Sequence, residues 1–135
     1  MDAAAIQKRI DPMFPGTLGM KIVEISTDRV LGELTVTAGL CTSGETLHGG
    51  AYMAFADTLG ALGTVVNMPQ GARTTTIESK TNFMGSAPLG TKVIGESTPL
   101  HRGRTTQVWT TRISNEKGKL LAVVTQTQMI LPDSR

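Results

Sequence analysis

The chain has 135 residues, 39% of them hydrophobic and 18% charged, with a formal net charge of +2. That length suits one domain with its own core rather than two, and so small a charge gives no basis for nucleic acid or an anionic membrane as a partner. Cys41 is the only cysteine, which rules out an intramolecular disulfide, and no CxxC or His/Cys cluster offers a structural zinc site.

In chain order, residues 2–10 read as a short helix ended by Asp11-Pro12 and again by Pro15-Gly16, because proline cannot continue a helix and disfavours it in the residue before. Residues 1–14 are therefore a lead-in to a single domain spanning 1–135. An early acid and the lack of an apolar stretch of signal-peptide length, with no membrane-length apolar run elsewhere, lead to the expectation of a soluble, unexported, cytoplasmic protein. Residues 20–26 and 29–37 read as two strands joined by a tight turn at Thr27-Asp28. In the second, Val30, Gly32, Leu34 and Val36 alternate with Leu31, Glu33, Thr35 and Thr37, the pattern of a sheet with one face covered.

After the polar loop Thr42-Ser43-Gly44-Glu45, the stretch Leu47-His48-Gly49-Gly50 opens a long, almost wholly apolar helix that closes near Asn67-Met68-Pro69. Asp57 is the only charged residue between Glu45 and Arg73. A buried, unpaired carboxylate is costly, so its presence in such a helix needs a reason. Beyond Arg73 the chain reads as strand at 74–83, 91–100, 105–114 and 119–131. His101-Arg102-Gly103-Arg104 and Asn115-Glu116-Lys117-Gly118 place glycine where a hairpin needs it, so the last three strands are expected as an antiparallel meander. The layout is α+β, an antiparallel sheet wrapped around one long central helix. Because that helix is apolar on every side, the sheet must curl around it or a second subunit must cover what the sheet does not.

Three motifs together resemble one family. They are Leu47-His48-Gly49-Gly50 with Asp57 nine residues after the histidine, Asn82-Phe83-Met84-Gly85-Ser86-Ala87, and the run from His101 through Arg102, Gly103, Arg104 and Thr105 to Trp109. The chain resembles the hotdog-fold acyl-CoA thioesterases, in particular their 4-hydroxybenzoyl-CoA and phenylacetate-pathway (PaaI-like) branches, over about residues 15–131. The resemblance implies a homodimer with two sheets joined edge to edge, often paired again as a homotetramer. Active sites would lie at the dimer interface, with His48-Gly49-Gly50 from one chain and Asp57 from the other. It implies an acyl-CoA substrate, aryl or arylacetyl rather than long-chain aliphatic, and no tightly held cofactor or metal. The coenzyme phosphates would lie near Arg102, Gly103, Arg104 and Thr105, and Phe83, Met84, Gly85 and Ser86 would line the pantetheine or acyl channel. Two positions depart from the family: Thr42 stands where many relatives have Asn or Gln, and Ala61 where relatives often have Ser or Thr.

The chemistry of these residues fits the hydrolysis of a thioester. Amides at a helix N-terminus, here those of Gly49 and Gly50, lack helical partners and sit at the positive end of the dipole, and glycine lets a carbonyl approach them. The Gly49 N–H would then be an oxyanion donor, worth about 3 kcal/mol, the alternative being a glycine needed only for entry into the helix. Asp57 would be nucleophile or general base, or else an acid held by structural hydrogen bonds. His48 is expected to shape the loop or polarise the carbonyl rather than act as base, and His101 to lie in solvent. The resemblance to the phenylacetate-pathway branch makes Thr75 the candidate for a water-orienting hydroxyl, against a plain preference for threonine in strands. Arg102 and Arg104 would bind phosphate, or simply form a solvated hairpin. Phe55, Met53 and Leu59 are expected in the core. Two rival readings are a hotdog hydratase or dehydratase, whose HFPxxP motif is absent, and a non-catalytic acyl-CoA-binding protein, which would have no use for Asp57.

Overall fold

A computed structural model describes residues 2–133, so Met1, Ser134 and Arg135, the ends of the expected domain 1–135, lie outside the described residues. The lead-in helix α1 (Ala3–Ile10) is capped by Asp2, whose carboxylate accepts the Ala5 amide at 2.8 Å. It is followed by α2 (Phe14–Leu18), a second short helix where the sequence reading expected only chain breakers. Pro15 sits in the first turn, where proline's missing N–H costs nothing, and Gly19, at φ 77°, closes the helix in the left-handed region that favours glycine.

The strands β1 (Lys21–Ile25) and β2 (Val30–Thr35) pair as expected. A 3-10 turn (Ala38–Leu40) and a two-residue hairpin, β3 (Cys41–Thr42) with β4 (Thr46–Leu47), then lead into the long helix α3 (Gly49–Val65). After α3 come β5 (Arg73–Phe83), β6 (Lys92–Arg102), β7 (Thr106–Asn115) and β8 (Leu120–Leu131). The main sheet has the order β1-β2-β6-β7-β8-β5, all pairs antiparallel, with β6-β7-β8 forming the expected meander. β5, eleven residues long, is an edge strand that pairs only with β8 among the described residues. Among the same residues no helix is long and apolar enough to cross a membrane.

The sheet wraps α3 on one side. Tyr52, Phe55, Ala56, Leu59, Gly60 and Gly63 recur at helical spacing and are buried against the strands. Close approach is built into the sheet by glycine. Gly32 and Gly95 are cross-strand partners, and a side chain at either would meet Leu59 and Phe55 within 3.3 Å. On the helix itself, Gly63 makes room for the fully buried Trp109. The opposite face of α3, carrying Met53, Ala54, Asp57, Thr58, Ala61, Leu62 and Val65, remains only half-buried. The sheet therefore does not enclose the helix within one chain.

β5 carries a bulge: Thr76 pairs with Gln128 and Glu78 with Thr127, leaving Ile77 unpaired and 54% exposed. A bulge shifts the alternation of a strand by one residue. On the N-terminal side of it Thr74 and Thr76 face the helix and Thr75 faces out, whereas counting back from Thr81 and Ser79 without a bulge would place Thr75 inside.

Candidate active site

The N-terminus of α3 is fixed from several sides. The Leu47 amide donates to the Ala87 carbonyl at 2.9 Å and the His48 amide to the Leu40 carbonyl at 2.8 Å. His48 is the N-cap, with extended backbone (φ −63°, ψ 139°), and its Nδ1 accepts the Gly50 amide hydrogen at 2.8 Å. The Ala51 and Tyr52 amides both point to the His48 carbonyl, at 2.9 and 3.3 Å. The first turn thus keeps one amide without a partner among the described residues, that of Gly49. The sequence reading expected the amides of both Gly49 and Gly50 to be open; the His48 side chain takes the second.

An Nδ1 that accepts a hydrogen bond places the proton of a neutral imidazole on Nε2, which is then a donor. His48 is thus a cap with a second donor edge. The ring of Phe83 stands over Gly49, whose added Cβ would lie 3.3 Å from Phe83 Cζ. Phe83 in turn meets Tyr52 edge-on, with ring centroids 5.8 Å apart at 74°. The Tyr52 hydroxyl donates to the Gly85 carbonyl at 3.5 Å. Burial raises the Tyr52 phenol above its ordinary value of 10.0, and a backbone hydrogen bond at Ala87 pulls the other way. The Met84 and Gly85 amides share the Leu121 carbonyl at 2.8 and 3.0 Å.

Phe83 to Gly85 are therefore held around the start of α3, whereas Ser86 lines a separate cavity of about 250 Å³ with Lys92 and Asn115. Beside His48 and Gly50 a cleft of about 270 Å³ is walled by Phe14 and Leu18 of α2, by Leu40 and Cys41, and by Ala51 and Ala54 of α3. Phe14 and Leu18 were not singled out from the sequence, because the helix that carries them was not expected.

Asp57 lies two turns further along α3, half-buried. Its Oδ1 accepts the Thr76 hydroxyl at 2.5 Å and a hydrogen of the Gln126 amide at 3.3 Å, and the same amide nitrogen donates to the Asp57 main-chain carbonyl at 3.1 Å. Gln128 Nε2 donates to Thr76 Oγ1 at 2.6 Å, and Thr74 Oγ1 donates to Gln128 Oε1 at 2.9 Å. The hydroxyl beside Asp57 is thus that of Thr76, not Thr75, and the bulge at Ile77 is the reason. Ala61, on the open face of the helix, brings no hydroxyl.

Two further expectations are corrected or reshaped. Arg102 is not held ready for phosphate. Its Nη1 donates to the Thr27 carbonyl and to Asp28 Oδ1, both at 2.8 Å, and reaches Asn67 Oδ1 at 3.5 Å. Since the Asn67 amide bonds both Thr27 O (2.8 Å) and Gly63 O (2.9 Å), Arg102 ties the β1–β2 turn to the end of α3. Arg104 is exposed and lines a cavity of about 420 Å³ with Thr105, Gln70 and Ile130. Gly103 closes the turn through its amide to the Thr106 carbonyl at 2.9 Å. Thr42 sits on the exposed side of the small β3–β4 hairpin, opposite Thr46.

A six-stranded antiparallel sheet wrapped on one long helix is the architecture of the hotdog fold. Residues 44–122 match the model of the 4HBT family, the thioesterase superfamily. The chain belongs to that superfamily and is a thioester hydrolase. It is 35% identical over 101 residues to 1,4-dihydroxy-2-naphthoyl-CoA thioesterase 2 of Arabidopsis thaliana, an alignment covering 74% of this chain and 63% of that one. Thioesterase HI1161 of Haemophilus influenzae superposes with a TM-score of 0.94 at 24% identity, over 100% of this chain and 94% of that one. The PaaI protein from the phenylacetic acid degradation operon of E. coli superposes with a TM-score of 0.86 at 21% identity, over 97% and 92%.

Proposed function

We propose that the protein hydrolyses an aryl or arylacetyl CoA thioester to the free acid and CoA, at active sites built between two copies of the chain. The observation that carries this reading is a separation. Gly49, with its open amide, and Asp57 are eight residues apart on one helix, which at 1.5 Å per residue is about 12 Å along the axis. One thioester carbonyl cannot touch both. Antiparallel pairing of two α3 helices about an axis near Met53, midway between them, brings Gly49 of each copy opposite Asp57 of the other. The half-buried apolar face of α3 and the free edge of β5 are the surfaces such a dimer would cover.

In each site the Gly49 amide receives the negative charge that grows on the carbonyl oxygen, helped by the positive end of the helix dipole. Asp57 of the other copy attacks the carbonyl carbon, expelling CoA thiolate and leaving a mixed anhydride for water to cleave, or takes a proton from the water that attacks directly. The apolar cleft beside His48 suits an acyl group without charge, and the CoA ester named in the Arabidopsis thaliana relative has a fused aromatic acyl part. Exposed Arg104 is the remaining basic candidate for the coenzyme phosphates.

Complementation tests the shared site. Gly49→Pro and Asp57→Asn are each expected to inactivate the homodimer. Mixed after refolding or coexpressed, they form heterodimers in which one site has both groups intact, restoring about a quarter of wild-type turnover for random pairing in a two-fold dimer. Thiol release with benzoyl-, phenylacetyl- and hexanoyl-CoA is the measurement. No recovery on mixing would place the site within one chain, and preference for hexanoyl-CoA would remove the aromatic assignment.

A further inference from the structure

We infer that Thr76, backed by Gln128 and flanked by Gln126, is the positioning residue that decides which oxygen of Asp57 reacts. The inference rests on the catalytic role proposed for Asp57, and its basis is the direction of the hydrogen bonds. Gln128 is fully buried, so its amide must find partners inside the protein. Its Oε1 accepts from Thr74 at 2.9 Å and its Nε2 donates to Thr76 Oγ1 at 2.6 Å. A hydroxyl has one hydrogen. With its oxygen already accepting from Gln128, Thr76 directs that hydrogen to Asp57 Oδ1 at 2.5 Å. The Thr74 hydroxyl has the Met129 carbonyl at 3.0 Å as a second acceptor, so the direction is fixed from Gln128 through Thr76 to Asp57, and turning the Gln128 amide over would make Thr76 donate backwards and abandon the carboxylate.

Gln126 repeats the logic at the neighbouring position. It is fully buried, lies flush on Gly60, and sends its amide nitrogen to Asp57 O and Oδ1 while its Oε1 has no partner among the described residues. A buried carbonyl oxygen left unpaired is a cost that a flip of the amide would ordinarily relieve. Here a flip would set that oxygen against two acceptors of Asp57, so the acid holds the amide in its costly orientation.

Both donors converge on Oδ1, and Oδ2 carries no hydrogen bond among the described residues. Oδ2 is therefore the oxygen left to reach the thioester carbon or a water. Since Thr76 and Gln126 act through Asp57, they position the reacting group and do not touch substrate.

The test compares Thr76→Val, Thr76→Ser, Gln126→Met and Asp57→Asn in the full chain, by steady-state kinetics with one aryl-CoA and by thermal unfolding. Thr76→Val keeps the side-chain shape but loses the hydroxyl. It is expected to lower kcat about 10- to 100-fold with KM within about twofold, the range of a lost hydrogen bond to a charged group. Thr76→Ser should restore most of kcat, and Gln126→Met should lower kcat without lowering Tm. If Asp57→Asn is inactive while Thr76→Val and Gln126→Met keep wild-type kcat, the positioning role is overturned and the role of Asp57 stands. Wild-type turnover by Asp57→Asn overturns the reading of Asp57 itself. Should Thr76→Val not fold, Gln126→Met and Thr76→Ser decide: a fall in kcat for the first and near-normal kcat for the second support the inference, and an unchanged kcat for Gln126→Met overturns it.

Discussion

His48 Nδ1 accepts the Gly50 amide hydrogen at 2.8 Å, and by taking that donor it leaves Gly49 as the one amide of the helix start without a partner among the described residues. The two glycines thus have different duties. Gly50 completes the cap, and Gly49, with the Phe83 ring packed over its Cα, keeps an N–H that no described residue accepts.

Gly49 occupies the first position of α3, where proline is well tolerated because that amide makes no helical bond. His48 already has the extended backbone that a following proline requires. Gly49→Pro should therefore fold and dimerise with the circular dichroism spectrum of the wild type. Its kcat is expected to fall by about 10²- to 10³-fold, the loss seen when one oxyanion donor is removed. Activity within tenfold of wild type would show that the Gly49 amide does not carry the oxyanion.

The cap and the donor edge of His48 separate by substitution. His48→Ala loses the cap bond and is expected to cost about 1 kcal/mol in denaturant unfolding. His48→Asn can accept from the Gly50 amide and should recover most of that stability, without recovering an Nε2–H placed at the site. If kcat returned together with stability in His48→Asn, the ring would be a cap and nothing more.

Much of this arrangement was legible in the sequence, and the exceptions have physical causes. The nearly unbroken apolar run of α3 and period 2 in β2 marked the central helix and the sheet face, and Asp57 stood out as the lone charge in that run. The helix α2 was missed because Pro15 and Gly16 read as breakers, although a proline in the first turn is a helix starter. The Thr76 hydroxyl beside Asp57 was not legible, because a bulge at Ile77 reverses inside and outside along β5 and periodicity alone does not reveal a bulge. Gln126 and Gln128 gave no signal as site residues. On β8 the inward positions run Ala122, Val124, Gln126, Gln128, and a polar residue on an inward position breaks the binary pattern. Such breaks gather where function has been built into the core, and here they lie behind Asp57. Arg102 looked free because a turn in the sequence does not show what its side chain reaches.

The two arginines of the β6–β7 turn should separate cleanly. Arg102→Ala breaks a half-exposed ion pair with Asp28 and two carbonyl or amide contacts, so it is expected to cost about 1 kcal/mol of stability with little change in KM. Arg104→Ala should leave stability unchanged and raise KM for a CoA ester, but not for the same acyl group on N-acetylcysteamine, which lacks the phosphates. Equal KM values for Arg104→Ala and wild type with the CoA ester would remove Arg104 from coenzyme binding.

Gly95 faces Leu59 and Phe55 so closely that a methyl group there would lie 2.6 Å from Leu59 Cδ1 and 2.8 Å from Phe55 Cε2. Neither ring nor branched side chain has space to withdraw, since both are fully buried. Gly95→Ala should overpack the contact between sheet and helix and destabilise by about 1–3 kcal/mol. Its kcat should change little as long as the protein stays folded. A neutral effect on unfolding would mean that α3 can rise off the sheet at this point.

Met53 tests the dimer most directly, because it lies four residues from both Gly49 and Asp57 and so falls next to the proposed two-fold axis. A residue at such an axis meets its own copy. It is half-buried on the face of α3 that the chain's own sheet leaves open, so the fold of one chain does not depend on it as it does on Phe55. Met53→Glu would place two like charges together in an apolar interface, each with the Asp57 of its own helix one turn away, and each must lose water on association. The variant is expected to be a folded monomer in sedimentation at micromolar concentration, with thioesterase activity lost because no chain can bring its own Gly49 to its own Asp57. Raising the protein concentration should restore dimer and activity in parallel. A Met53→Glu monomer with wild-type turnover would place the whole site within one chain, against the separation along α3.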